Sequence, residues 1–151
     1  MMIAIPRFLL LLALGSSVAV AAESPWLTDF EQAKKVAKEE NKAILIDFTG
    51  SDWCGWCIKL NEEVFSKKKF LEFAKKNFVL LELDFPSKKE ISEDLKKQNK
   101  ELAKKYKVEG FPTVLLTDAK GRKFAQTGYV EGGPEAYVKH LEELLEKKDL
   151  D

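Results

Sequence analysis

Residues 43–57 read AILIDFTGSDWCGWC, and three kinds of local structure succeed one another within them. Ala43 to Phe48 is a nearly continuous apolar run, the pattern of a strand covered on both faces in a parallel or mixed sheet, and Asp47 is its one exception. Thr49 to Trp53 form a loop. A helical pattern begins at Cys54-Gly55-Trp56-Cys57 and runs through Leu60, Val64 and Phe65. These two cysteines are the only ones in the chain, so any intramolecular disulfide joins them. Closing so short a loop removes little entropy from the unfolded chain, so the pair suits making and breaking a bond better than holding a fold.

Other uses of paired cysteines fit poorly. A zinc site needs two more soft or imidazole ligands, and the lone His140 lies far along the chain among glutamates and lysines, so no metal is expected. Covalent haem attachment needs a histidine directly after the second cysteine, where Ile58 stands.

Upstream, Thr28 and Glu31 have capping-box spacing, with Phe30, Ala33, Val36 and Ala37 at helical intervals and a stop at Asn41. Downstream, the cysteine helix bends or breaks near Ser66 and resumes through Phe70, Leu71, Phe73 and Ala74. Phe78 to Asp84 reads as a second buried strand, ended by Pro86. Ser87 and Glu90 repeat the capping-box spacing ahead of a largely superficial helix carrying Ile91, Leu95, Leu102 and Tyr106. Thr113 to Thr117 and Lys123 to Thr127 read as antiparallel strands around a turn at Asp118–Gly121, and a last helix opens at Gly132-Gly133-Pro134. The resulting order α, β, α, β, α, β, β, α predicts an α/β sandwich with a mixed central sheet flanked by helices.

The N-terminus carries Arg7, a compact apolar core at Phe8 to Leu14 and the small residues Ala19-Val20-Ala21-Ala22, the three parts of a cleavable signal peptide over 1–22. The apolar stretch is shorter than the roughly 20 residues of a spanning helix. Residues 23–151 suit one domain. Without Arg7 that domain is within one charge of neutral, so it shows no footprint for nucleic acid or an anionic membrane.

The chain resembles the thioredoxin superfamily over residues 26–147. The likeness rests on Asp47-Phe48 ending a strand ahead of Trp53-Cys54-Gly55-Trp56-Cys57, on the cysteines opening a helix, and on Gly110-Phe111-Pro112-Thr113 in the place of that family's cis-proline. The approach Phe48 to Trp53 and the long segment from Asp84 to Tyr106 look like bacterial exported members more than cytosolic thioredoxin. The dipeptide between the cysteines is Gly-Trp rather than Gly-Pro, Leu80 stands where thioredoxin has a buried lysine, and the loop from Asp47 to Cys54 is one residue longer.

The resemblance implies a thioredoxin fold and a protein thiol–disulfide oxidoreductase in the periplasm, with no dissociable cofactor. Cys54, at a helix N-terminus that favours its thiolate, is the expected nucleophile, and Cys57 the more buried thiol that resolves the mixed disulfide. Asp47 matches the family's buried acid and would exchange a proton with Cys57; the plainer reading is a hydrogen-bonding or solvent-facing carboxylate. A cis Pro112 beside Phe111 would leave backbone groups free to pair with a substrate strand. Trp53, Gly55 and Trp56 would offer an apolar landing surface, Trp53 being the one expected in the core if either is, and His140 has a surface or packing role. Cysteine-containing exported proteins are the expected partners of a monomer, with a membrane electron donor if it is a reductase. Donation of the disulfide, isomerisation, or a binding module with incidental cysteines are the alternatives.

Overall fold

A computed structural model describes residues 23–149. The expected signal peptide over 1–22 lies outside them. The strands are β1 (Trp26–Leu27), β2 (Ala43–Thr49), β3 (Phe78–Asp84), β4 (Thr113–Thr117) and β5 (Lys123–Thr127); the α-helices are α1 (Phe30–Glu40), α2 (Gly55–Leu60), α3 (Lys68–Asn77), α4 (Glu93–Lys105) and α5 (Gly133–Leu145). The sheet runs β1-β3-β2-β4-β5, with β1, β3 and β2 parallel and β4 antiparallel to both β2 and β5.

Alternation along the central strands divides the core in two. Ile44, Ile46, Val79, Leu81 and Leu115 meet Phe30, Ala33 and Ala37 of α1 and Leu102 of α4 on one face. Ala43, Leu45, Leu80, Val114 and Leu116 meet Leu60, Phe70, Ala74, Tyr137 and Leu141 on the other. Both faces are covered, which is why β2 and β3 read as near-continuous apolar runs. The mixed sheet between helices agrees with the architecture expected from the pattern of elements.

Two helix starts differ from expectation. The α1 cap is Asp29, whose carboxylate accepts from the Gln32 N–H at 2.7 Å, rather than Thr28. The first helix stops at Asn41 as expected, in the left-handed region at φ 53°. Helix α4 begins not after Ser87 but after Ser92, whose hydroxyl accepts from the Leu95 N–H at 3.3 Å. The backbone at Ser87 is engaged elsewhere, donating to Asp52. The break near Ser66 is present: α2 passes into a π-helical turn at Asn61–Phe65, and α3 starts afresh at Lys68.

The β4–β5 turn places Gly121 at φ 81°, with an added Cβ 2.7 Å from the Phe30 ring, and the Tyr106 hydroxyl donates to its carbonyl at 2.6 Å. Gly121→Ala is expected to cost about 1–3 kcal/mol in denaturant unfolding; a loss below about 0.5 kcal/mol would mean the turn relaxes freely.

Candidate active site

Strand β2 ends at Thr49, and the four residues after it are held by side chains rather than by regular structure. Asp84, at the end of β3, accepts from the Ser51 N–H at 2.9 Å and from its hydroxyl at 2.5 Å. Asp52 accepts from the backbone N–H groups of Ser87, Lys88 and Lys89 at 2.8, 2.7 and 2.8 Å. Those backbone bonds hold the Asp52 carboxyl below the usual carboxylate range. Trp53 donates its indole N–H to the Phe85 carbonyl at 2.7 Å. The extra residue in this loop is therefore tied down, and it delivers Cys54 to the start of α2.

Cys54 is the N-cap of α2, with an extended backbone, and its Sγ accepts from the Cys57 N–H at 3.2 Å. The two sulfurs are joined, with Cα atoms 5.2 Å apart. Both residues are buried, Cys54 at 7% exposure and Cys57 at 4%, so position at the cap distinguishes them more than burial does.

Asp47 points into the core face that carries Tyr137 and Leu60. It is 6% exposed, and its Oδ1 has no hydrogen-bond partner among the described residues. Burial first, then the carboxylates of Glu82 and Asp84, push its pKa well above the usual carboxylate range. A solvent-facing carboxylate is thereby ruled out. Asp47 and Cys57 line one cavity of about 150 Å³, together with Glu82, Asn61 and Glu62.

On the other side of the cysteines, the Phe111–Pro112 peptide is cis. Phe111 stacks on Phe85 at 4.9 Å between centroids and meets the edge of Trp53 at 6.0 Å, so the proline turn and the cysteine loop form one surface. Trp53 is 51% exposed and Trp56 57% exposed, so neither ring belongs to the core. The Trp53 N–H is anchored, its ring lies over Gly50 and meets Phe111, and about half of the residue faces solvent. Trp56 leans on Tyr129 at 5.1 Å, with the Lys59 ammonium 5.0 Å above its ring. Gly55 has open space where a Cβ would stand. His140 lies 2.8 Å from the Thr127 hydroxyl and packs on Tyr137, away from this surface.

Two residues here escaped the sequence reading. Asp52 had no distinguishing pattern. Glu82 had one: it interrupts an apolar strand, as Asp47 does.

A redox-capable cysteine pair capping a helix at the end of a parallel strand, within this sheet order, defines the class of thioredoxin-fold thiol–disulfide oxidoreductases. The family model for the thioredoxin-like domain matches residues 30–145, and the chain belongs to that family. It is 38% identical over 125 residues to the disulfide bond reductase DsbH of Chlamydia pneumoniae, covering 83% of this chain and 75% of that protein. It is also 30% identical over 125 residues to the thioredoxin-related protein DsbJ of the same organism, covering 79% of this chain but 36% of the relative. A solved DsbH oxidoreductase structure superposes with a TM-score of 0.77 at 34% identity, covering 93% of this chain and 94% of that one. With the Cys54–Cys57 pair, these relationships make the chain a thiol–disulfide oxidoreductase. Among the described residues no helix is long and apolar enough to cross a membrane.

Proposed function

We propose that the chain is an exported reductase of protein disulfides, working in the periplasm after removal of residues 1–22. The observation that carries the direction is its 38% identity across three quarters of a disulfide bond reductase. The Arg7 start, the apolar core and the small residues at 19–22 support export.

In this reading the Cys54 thiolate attacks a substrate disulfide and forms a mixed disulfide, releasing one substrate thiolate. The unpaired N–H groups at the start of α2 stabilise the attacking anion. Cys57 loses its proton to Asp47 and displaces the second substrate sulfur from Cys54. The substrate gains two electrons, and the pair closes to the disulfide. The exposed rings of Trp53 and Trp56, with Gly55 open between the cysteines and Phe111-Pro112 beside them, would receive an extended polypeptide. The substrates are cysteine-containing exported proteins. A membrane electron donor must re-reduce the pair, because an oxidising periplasm supplies no reductant, and the reductase acts as a monomer.

The test is the equilibrium reduction potential of the mature protein in a thiol buffer, read by alkylating Cys54 and Cys57. A value of about −270 to −230 mV is expected. One near −120 mV would make the chain an oxidant, and a pair that does not exchange would leave a binding module.

A further inference from the structure

Asp47 does not stand alone beneath the cysteines. Strands β2 and β3 are parallel and in register, with Asp47 opposite Glu82. Residues paired across adjacent strands stand about 4.8 Å apart in the sheet and share a face. Both carboxyls therefore leave the sheet on the side of α2, and both line the cavity that holds Cys57. Asp47 sits at its buried end, with one oxygen unpartnered. Glu82 is half-buried, and the exposed Ile58 and Glu62 at the same cavity open it to solvent.

We infer that Glu82 is a positioning residue for the resolving step: it acts through Asp47 as the outer carboxyl of a pair that shares one proton, and it passes that proton to water at the cavity mouth. The inference rests on the proposed attack by Cys57. The Cys57 thiol gives its proton to the Asp47–Glu82 pair, its sulfur forms the bond to Cys54, and the bond from Cys54 to the substrate sulfur breaks. The electron pair leaves with the substrate as a thiolate, and the proton leaves through Glu82.

Asp84 is a further carboxylate that bears on both residues, and Lys89 a cation that bears on Glu82. Asp84, on the same strand, is engaged by Ser51 and lies 3.8 Å from the exposed Lys89 ammonium. Glu62 and Asn61 of the π-helical turn line the same cavity. The Tyr137 hydroxyl, from α5, donates to the Gly128 carbonyl. One rung before Glu82 on its own face stands Leu80, so no cation neutralises the pair from that side. Like charges this close disfavour double ionisation. Glu82 accordingly adds to burial in pushing Asp47 up, while Glu82 itself is pushed up by burial and Asp84, against a lowering by Lys89.

The reaction of the reduced protein with 5,5′-dithiobis(2-nitrobenzoate), followed by stopped flow across pH, separates the steps. Attack by Cys54 releases the first thionitrobenzoate, and displacement by Cys57 releases the second. Removing the Glu82 charge lets Asp47 ionise at lower pH, so Glu82→Gln should move the midpoint of the second phase down by about one unit. The first phase should keep its profile, and Glu82→Asp should restore the second. A second-phase midpoint unmoved in Glu82→Gln, while Asp47→Asn alters it, would overturn the role of Glu82 alone. A second phase indifferent to Asp47→Asn would overturn the acid pair with it. No second phase in the unmodified protein would overturn the proposed resolution by Cys57 and this inference together.

Discussion

Cys57→Ser should accumulate mixed disulfides between Cys54 and substrate proteins, seen as high-mass species that collapse on reduction, whereas Cys54→Ser should form none and lose turnover entirely. The asymmetry follows from where the two sulfurs sit. Cys54 caps α2, and Cys57 lies one turn inside it, where its sulfur is placed to attack the Cys54 sulfur and release whatever is bound there. Without Cys57 the covalent intermediate has no internal exit. Serine is itself a favoured N-cap residue, so Cys54→Ser keeps the start of α2 and separates lost chemistry from lost structure. Equal trapping by both variants would reverse or remove the assigned roles.

Asp47→Asn should stabilise the oxidised protein at neutral pH by about 1–3 kcal/mol, the scale of the linkage cost of a carboxyl whose pKa differs between folded and unfolded states, and should slow the resolving step. Asp47 is buried, lacks a partner for Oδ1, and has its pKa raised by burial first and then by Glu82 and Asp84. Because the folded state holds this proton more tightly than the unfolded one, Asp47 penalises folding increasingly as pH rises above the ordinary value of 3.8. Below that value the carboxyl is protonated in both states and the penalty vanishes. The gain in Asp47→Asn should therefore be absent in acid and present at pH 7, measured by urea unfolding at both. No gain at pH 7, or unchanged second-phase kinetics, would return Asp47 to a structural role.

Most of this architecture was legible because burial writes itself into composition. Strands β2, β3 and β4 are covered on both faces and carry near-continuous apolar residues, and Asn41 and Ser66 mark real interruptions. Strand β1 was missed because two residues, Trp26 and Leu27, carry no periodicity; only pairing with Leu80 and Leu81 makes them a strand. The cap at Ser87 was misread because its motif is local while the decisive partner is not. Asp52 lies 35 residues away in sequence and takes the Ser87 N–H. Whether Trp53 or Trp56 lies in the core was open from the residues, and the Trp53 N–H, donating to the Phe85 carbonyl, leaves that ring at the surface like Trp56. The cysteines and Asp47 stood out as exceptions to their surroundings. Glu82 was the same kind of exception, and its meaning needed the register that sets it opposite Asp47.

The π-helical turn at Asn61–Phe65 makes the helix that starts at Cys54 a two-part device. A π turn accommodates one residue more than an α turn, so the cysteine-bearing end and the end carrying Val64 and Phe65 are phased independently. Without the bulge, the same extra residue in an unbroken α-helix would swing one end about 100° around the axis relative to the other. Either the disulfide would turn away from the mouth of the cavity, or Val64 and Phe65 would turn out of the core. The bulge is thus a phase adjuster, which takes up one residue while the reactive pair and the core-facing Val64 and Phe65 both keep their aim.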